Sequence, residues 1–286
     1  MKKLVLLFII GSFILAGCSE KPDSEQDCEI IVCFTVDSQP ISLLKSTATT
    51  AEERIDRIIL YGAAGSNVTK LYDGAKPSTG GIPLIIPRTI STLYAIANPS
   101  TSMETATTVT VLTNLTGSFT SAPASPFLMS GIAENIDGKT NKNISINLVR
   151  AVAKIEFTGT NGFVITSVTV QNTPTQGYVF QRSPFAVPTT TGNYAAINSS
   201  TPVLYVAENT SSTTNPPLTN FRVNGRLNSG TATNYDINLK KNGQNIDIVR
   251  NTRYQVSITP ITEDECIITV NIPGWSDVTT DDYVIN

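Results

Sequence analysis

Glu29-Ile30-Ile31-Val32-Cys33-Phe34-Thr35-Val36 sets the reading of this chain. Ile30, Val32, Phe34 and Val36 alternate with Glu29, Ile31, Cys33 and Thr35, a period of two that gives a β-strand one strongly apolar face. Burial of each of the four is worth about 1.5–3 kcal/mol, so about 6–12 kcal/mol together. A whole domain is stable by only ~5–15 kcal/mol. The strand is therefore expected inside a β-core, and its loss would leave an apolar edge prone to pairing with another chain.

The same signature recurs downstream. Short apolar runs cover Ile55 to Tyr61, Leu84 to Ile86, Leu93 to Ala97, Val109 to Leu112 and Ile144 to Val149. A second series covers Ala153 to Phe157, Val164 to Val170, Val203 to Ala207, Phe221 to Val223, Tyr235 to Leu239, Tyr254 to Ile258 and Ile267 to Ile272. Turn pairs punctuate them: Asp73-Gly74, Asp137-Gly138, Asn161-Gly162, Asn224-Gly225 and Asn242-Gly243. Hairpins are expected at Phe157–Phe163 and Leu239–Gln244, and a helix competes with a strand between Met103 and Leu115. Many short strands with Gly, Pro and Asn between them predict an all-β chain of Greek-key sandwiches. The ~260 residues after the leader suit two sandwiches rather than one. The boundary is expected at 148/149, giving an N-terminal sandwich over 28–148 and a C-terminal one over 149–286.

The amino terminus reads as an export signal. Met1-Lys2-Lys3 is basic, and the apolar run Leu4 to Ala16 is too short to span a bilayer, which needs roughly 20 apolar residues. Its end, Leu15-Ala16-Gly17-Cys18, resembles the bacterial lipobox. That resemblance implies cleavage after residue 17 and lipidation of Cys18, with outer-membrane lipid as a partner and palmitate among the attached chains. Residues 18–27 are polar and mostly acidic, a flexible tether that resembles the acidic signals sending Bacteroidetes lipoproteins to the outer face.

Composition removes whole classes of chemistry. The chain has no histidine, so Ser-His-Asp and Cys-His catalysis and His-ligated zinc are excluded. Net charge is −3 without a basic cluster, which argues against nucleic acid. No phosphate loop or Cys-x-x-Cys is present, so no cofactor and no metal is expected. Glu263-Asp264-Glu265, and Asp277 with Asp281 and Asp282, lack the ligand spacing of a calcium loop. Trp275 reads as a core plug.

From Val149 onward, four pieces occur in order: Val149-Arg150-Ala151-Val152-Ala153-Lys154-Ile155; Ile165 to Pro174 with Gly177-Tyr178; Leu204 to Thr210; and Arg250-Asn251-Thr252-Arg253-Tyr254-Gln255-Val256 followed by Pro273-Gly274-Trp275. Together, behind a lipobox, they resemble the fimbrillins, the FimA/Mfa-type subunits of Bacteroidales pili. The resemblance covers chiefly the C-terminal half. It implies two transthyretin-like sandwiches in tandem and a fimbrial role in adhesion and biofilm rather than catalysis. It also implies assembly after an Arg- or Lys-specific protease removes the first strand, so that a strand from another pilus subunit fills the groove.

Candidate residues follow from that mechanism. The connection Asp37 to Arg54 offers Lys45 and Arg54 as cut sites. Donor-strand candidates are Ile268, Val270 and Ile272, or Tyr283 and Ile285. Cys28 and Cys33 are too far apart along one strand to bridge each other. Either could pair with Cys266, Cys33–Cys266 being the pairing carried forward, or all three could be buried thiols. A bridge to Cys266 would prevent removal of the strand. Two rival readings stand beside the pilus: a surface lipoprotein that binds glycan or host protein without polymerising, and a glycan-acting enzyme built on paired carboxylates.

Overall fold

The computed structural model describes residues 27–36, 49–137, 142–211, 217–262, 265–272 and 281–285. The leader, Cys18, Lys45 and Trp275 lie outside them.

The N-terminal half contains β1 (Asp27–Val36), β2 (Ile58–Ala64), β3 (Asn67–Gly74), β4 (Ile82–Pro87), β5 (Thr92–Ala97), β6 (Thr116–Ser118), β7 (Met129–Ala133) and β8 (Asn143–Arg150). β1 pairs antiparallel with β4 and parallel with β8, while β3-β2-β5-β7 form the other layer. β8 joins the layers, because Val149 and Arg150 pair with Ser130 and Met129 of β7. Between the layers lies a core that includes Ile30, Val32, Ile58, Leu60, Leu93, Ile144 and Ile146.

The C-terminal half contains β9 (Val152–Gly159), β10 (Phe163–Gln171), β11 (Thr173–Pro174), β12 (Gln176–Tyr178), β13 (Thr191–Gly192), β14 (Ile197–Asn198), β15 (Val203–Ala207) and β16 (Asn220–Leu227). It continues with β17 (Thr233–Ile237), β18 (Lys240–Lys241), β19 (Gln244–Asn245), β20 (Arg253–Pro260), β21 (Cys266–Asn271) and β22 (Asp281–Ile285). One layer is β15-β9-β20-β21-β22 and the other is β14-β10-β16-β17. The second core, around Ile155, Phe157, Val168, Phe221, Val256 and Ile268, fills the space between them.

The halves repeat one wiring. In each, the first strand lies antiparallel to an edge strand (β4 or β15) and parallel to a late strand (β8 or β20). Ala151 alone separates β8 from β9, and it is buried. A short ribbon, β6 with β12, adds a second connection between the halves.

Most predicted strands form, and the Leu239–Gln244 turn closes the hairpin β18–β19, with Asn242 (φ 49°) and Gly243 (φ 71°) both left-handed as a two-residue loop demands. Three local expectations are corrected. Val109–Thr113 is a helix, α1, whose first turn is capped by the Thr108 hydroxyl accepting from the Val111 amide at 3.2 Å. Phe157–Phe163 is not a hairpin, since β9 and β10 belong to opposite layers. The chain turns a corner there, and a Cβ on Gly159 would sit 2.2 Å from the Phe163 carbonyl oxygen. Asn224-Gly225 lies within β16, opposite a bulge between Ile165 and Ser167 of β10.

Candidate functional site

The site is β1 with the groove that holds it. Its first six residues, Asp27 to Val32, pair with β4, and its last six, Ile31 to Val36, pair with β8. Only Ile31 and Val32 have partners on both sides. The predicted apolar face is real but graded. Ile30 and Val32 are buried, with Cys28 beside them, whereas Phe34 and Val36 are half-buried against the same core. Gly81, just before β4, packs against this strand so closely that a Cβ there would lie 2.6 Å from the Val32 carbonyl oxygen. On the outer face Ile31 and Ile85 are exposed.

The Cys33–Cys266 bridge does not form. Cys28, Cys33 and Cys266 are free thiols. Cys28 and Cys266 are buried in different cores, and Cys33 sits on β1. The Cys28 thiol donates to the Ile86 carbonyl at 3.4 Å. Burial pushes the Cys266 thiol above its ordinary range.

The two donor candidates differ in position. Ile268 and Val270 are buried in the C-terminal core, with Ile272 packed against it, and β21 has neighbours on both sides. Among the described residues β22 is an edge strand that pairs with β21 alone, Tyr283 opposite Ile268 and Ile285 opposite Cys266.

After β1 the described residues resume at Thr49, and here the structure shows residues that the sequence reading passed over. Thr49 and Glu52 cap each other: the Thr49 amide donates to Glu52 Oε2 at 2.6 Å, and the Glu52 amide donates to Thr49 Oγ1 at 3.3 Å. The other carboxylate oxygen, Oε1, accepts from the Tyr205 hydroxyl at 2.7 Å and pairs with Lys154 Nζ at 2.9 Å. Burial pushes this carboxyl up, but the Tyr205 hydroxyl, the Thr49 amide and the Lys154 ammonium outweigh it and hold it at about 2. Arg150 Nε donates to the Glu52 carbonyl at 2.8 Å. The spacing Thr49-x-x-Glu52, a capping box, was the available signal.

Arg54, the one cut-site candidate among the described residues, has a side chain 61% exposed, paired with Asp56 at 2.7 Å. Its carbonyl accepts from Asn98 Nδ2 at 2.9 Å.

The family pieces read from the sequence meet at this joint. Arg150 reaches Asn251 (Nη1 to Oδ1, 2.9 Å), Arg253 pairs with Glu156, and Lys154 bridges Glu52 and Glu156. Arg250 forms a buried ion pair with Glu208 and also donates to the Val179 carbonyl at 2.8 Å. Glu52 with Lys154 and Tyr205, and Arg150 with Asn251, cross between the halves, whereas Arg250–Glu208 and Arg253–Glu156 lie within the C-terminal half. Among the described residues no group of three Cys, Asp or Glu is arranged to hold a metal. No described helix is long and apolar enough to cross a membrane.

The fold has solved relatives. The tip fimbrial protein Mfa3 of Porphyromonas gingivalis, with C-terminal truncation, is 14% identical, with a TM-score of 0.60 over 86% of this chain and 100% of that one. A fimbrial assembly protein of Parabacteroides distasonis is 16% identical, with a TM-score of 0.55 over 90% and 100%. No curated protein matches the sequence. Residues 25–281 match the family described as fimbrillin-A associated anchor proteins Mfa1 and Mfa2. A match of that extent, over a fold shared with fimbrial proteins, makes this chain a member of the fimbrillin-A associated anchor protein family.

Proposed function

We propose that this chain is a structural subunit of a cell-surface pilus, joined to its neighbours by exchange of a β-strand after proteolysis frees β1. The observation that carries the reading is the place of β1 at the centre of the β4-β1-β8 layer. Its departure would strip β4 and β8 of a common neighbour and uncover Ile58, Leu60, Ile144 and Ile146. A strand from another subunit would restore both the ladder and the burial. β22, an edge strand paired with β21, is the donor candidate whose departure breaks one ladder rather than two.

In this reading Cys18 carries the lipid that holds the precursor in the outer membrane, facing outward. An Arg/Lys-specific protease cuts between β1 and β2, with Lys45 as the candidate, and the assembled fibre serves adhesion and biofilm.

A second reading follows from the family's description as anchor proteins. A lipid on Cys18 and β1 lie on the same side of that cut, so a subunit that keeps its lipid also keeps β1. An anchor would therefore remain uncut and donate a strand without accepting one.

Trypsin treatment of the purified precursor separates these readings. A product starting at residue 46, followed by ladders that resist SDS, supports strand exchange. An uncut chain that caps fibres of cut subunits supports the anchor. A nicked chain that stays monomeric would overturn both and favour a surface protein that binds glycan or host protein without polymerising.

A further inference from the structure

Residues Thr49 to Arg57 follow the connection behind β1, and their backbone is engaged almost throughout. The Ala51 carbonyl accepts from the Ser125 hydroxyl, the Glu52 carbonyl from Arg150, and the Arg54 carbonyl from the Asn98 amide. The same Asn98 side chain accepts from the Asp56 amide at 2.8 Å and donates to the Phe127 carbonyl at 2.8 Å. Its backbone amide donates to the Arg57 carbonyl at 2.8 Å. Asn98 lies at φ 54°, a left-handed position that Asn tolerates, at the end of β5. Glu52 is 5% exposed, and its carboxylate is gripped by Lys154 of β9 and Tyr205 of β15, both in the C-terminal half.

A protease acts on extended, released backbone, so the exposure of one side chain does not make its peptide bond accessible. Arg54 illustrates this. Its guanidinium reaches solvent, yet the carbonyl of the bond that would be cut is a hydrogen-bond acceptor inside this framework. Opening it requires local unfolding that breaks contacts to both halves.

We infer that Thr49–Arg57 is a clasp, fastened to the C-terminal half through the Glu52 carboxylate, that closes the Arg54–Ile55 bond to trypsin-like proteases and confines any maturation cut to the chain before Thr49. Its part in maturation rests on the strand-removal reading above. The closed bond is a property of the folded chain alone. After a cut the clasp stays with the body beside Arg150, the last residue of β8, two beyond the partner of Val36. It therefore lies at the end of the groove where β1 finishes, a stop for whatever strand enters there.

Limited trypsinolysis of the full chain, read by intact mass and N-terminal sequencing, tests the clasp. The wild type yields no fragment starting at Ile55 while it remains folded. Glu52→Ala yields that fragment at least ten-fold faster, and Tyr205→Phe, which removes one grip and keeps the ring, gives an intermediate rate. Should Glu52→Ala fail to fold, hydrogen exchange on the wild type decides: the amides of Asp56 and Asn98 are protected together. Unprotected exchange at both amides, or an Ile55 fragment from the wild type at the rate of the variant, overturns the clasp and leaves strand exchange standing. Cutting before Thr49 without polymer formation does the reverse.

Discussion

β1 and β9 occupy corresponding places. Each opens its half, lies antiparallel to an edge strand and parallel to a late one, and sends alternate side chains into a core. They are held differently. β9 pairs with β15 over Val152–Ala207 through Glu156–Val203 and with β20 over Lys154–Arg253 through Gly159–Ile258, so Lys154, Ile155 and Glu156 are gripped from both sides. β1 is gripped from both sides only at Ile31 and Val32. The connections differ as well. β9 is bound to β8 by one buried residue and to β10 by a tight corner, whereas 21 residues separate the end of β1 from the start of β2. One cut between β1 and β2 severs the link of β1 to the body, whereas β9 stays joined to the chain on one side after any single cut. A shared topology thus holds its two first strands to different degrees, and the difference lies in ladder overlap and chain connection rather than in composition.

The largest expected effect is all or none. A unique protease site placed between residues 45 and 46 lets β1 dissociate in mild denaturant, and a labelled peptide of residues 27–36 is then captured by the body. The same site between Asn161 and Gly162 leaves β9 in place, and a labelled peptide of residues 152–159 is not captured. Peptide capture by both nicked chains, or by neither, breaks the comparison.

A staple should abolish it. Cys33 lies opposite Ser145 in the β1–β8 ladder. Neighbouring strands are ~4.8 Å apart, within reach of a disulfide. Oxidised Ser145→Cys should keep its β-structure by circular dichroism yet release no β1 after the cut, and dithiothreitol should restore release.

Core truncation grades the two strands. Ile155→Ala, at a fully buried position on β9, should cost about 2–5 kcal/mol in urea unfolding. Phe34→Ala, half-buried on β1, should cost less than half of that despite the larger side chain. Equal losses would mean that β1 is held as firmly as β9.

The joint between the halves is sensitive to acid. Glu52 titrates at about 2 in the folded chain against 4.5 for the free group. Its folded value is depressed, so its contribution is complete above about pH 4.5 and disappears as pH falls toward 2. The difference corresponds to about 3 kcal/mol at neutral pH. Glu52→Gln should flatten this limb of the stability–pH curve, and an unchanged acid limb would remove Glu52 from the joint. The smallest effect belongs to the C-terminal hairpin, where Gly243→Ala at φ 71° should cost about 1 kcal/mol.

Period-two alternation carried most of the architecture, because strands that bury one face leave that mark regardless of their partners. Ile30 and Val32 could be assigned to the core in this way. Pairing could not. Asn161-Gly162 looks like Asn242-Gly243 locally, yet one makes a corner between layers and the other a hairpin, since the choice depends on which sheet the next strand joins. The Val109 run became a helix because a capping threonine and one buried leucine settled a stretch that periodicity left open. Glu52 was passed over since a lone acidic residue in a polar connection reads as solvent-facing. Its partners at 154 and 205 are more than a hundred positions away. Arg150, Lys154 and Tyr205 belong to the family pieces and meet Glu52 at the joint, while Glu208, Arg250 and Arg253 of the same pieces form ion pairs inside the C-terminal half.

Parallel pairing of first and late strands has a directional consequence. A strand that closed each half antiparallel would return the chain to its point of entry. β8 runs with β1 and β20 runs with β9, so the backbone enters each half at one end and finishes these strands at the opposite end. With only Ala151 between β8 and β9, the exit of the first half is the entrance of the second. The entrance of the first half and the exit of the second are therefore unlike surfaces. Contacts between unlike surfaces of identical subunits build open fibres where the rotation between neighbours does not close into a ring.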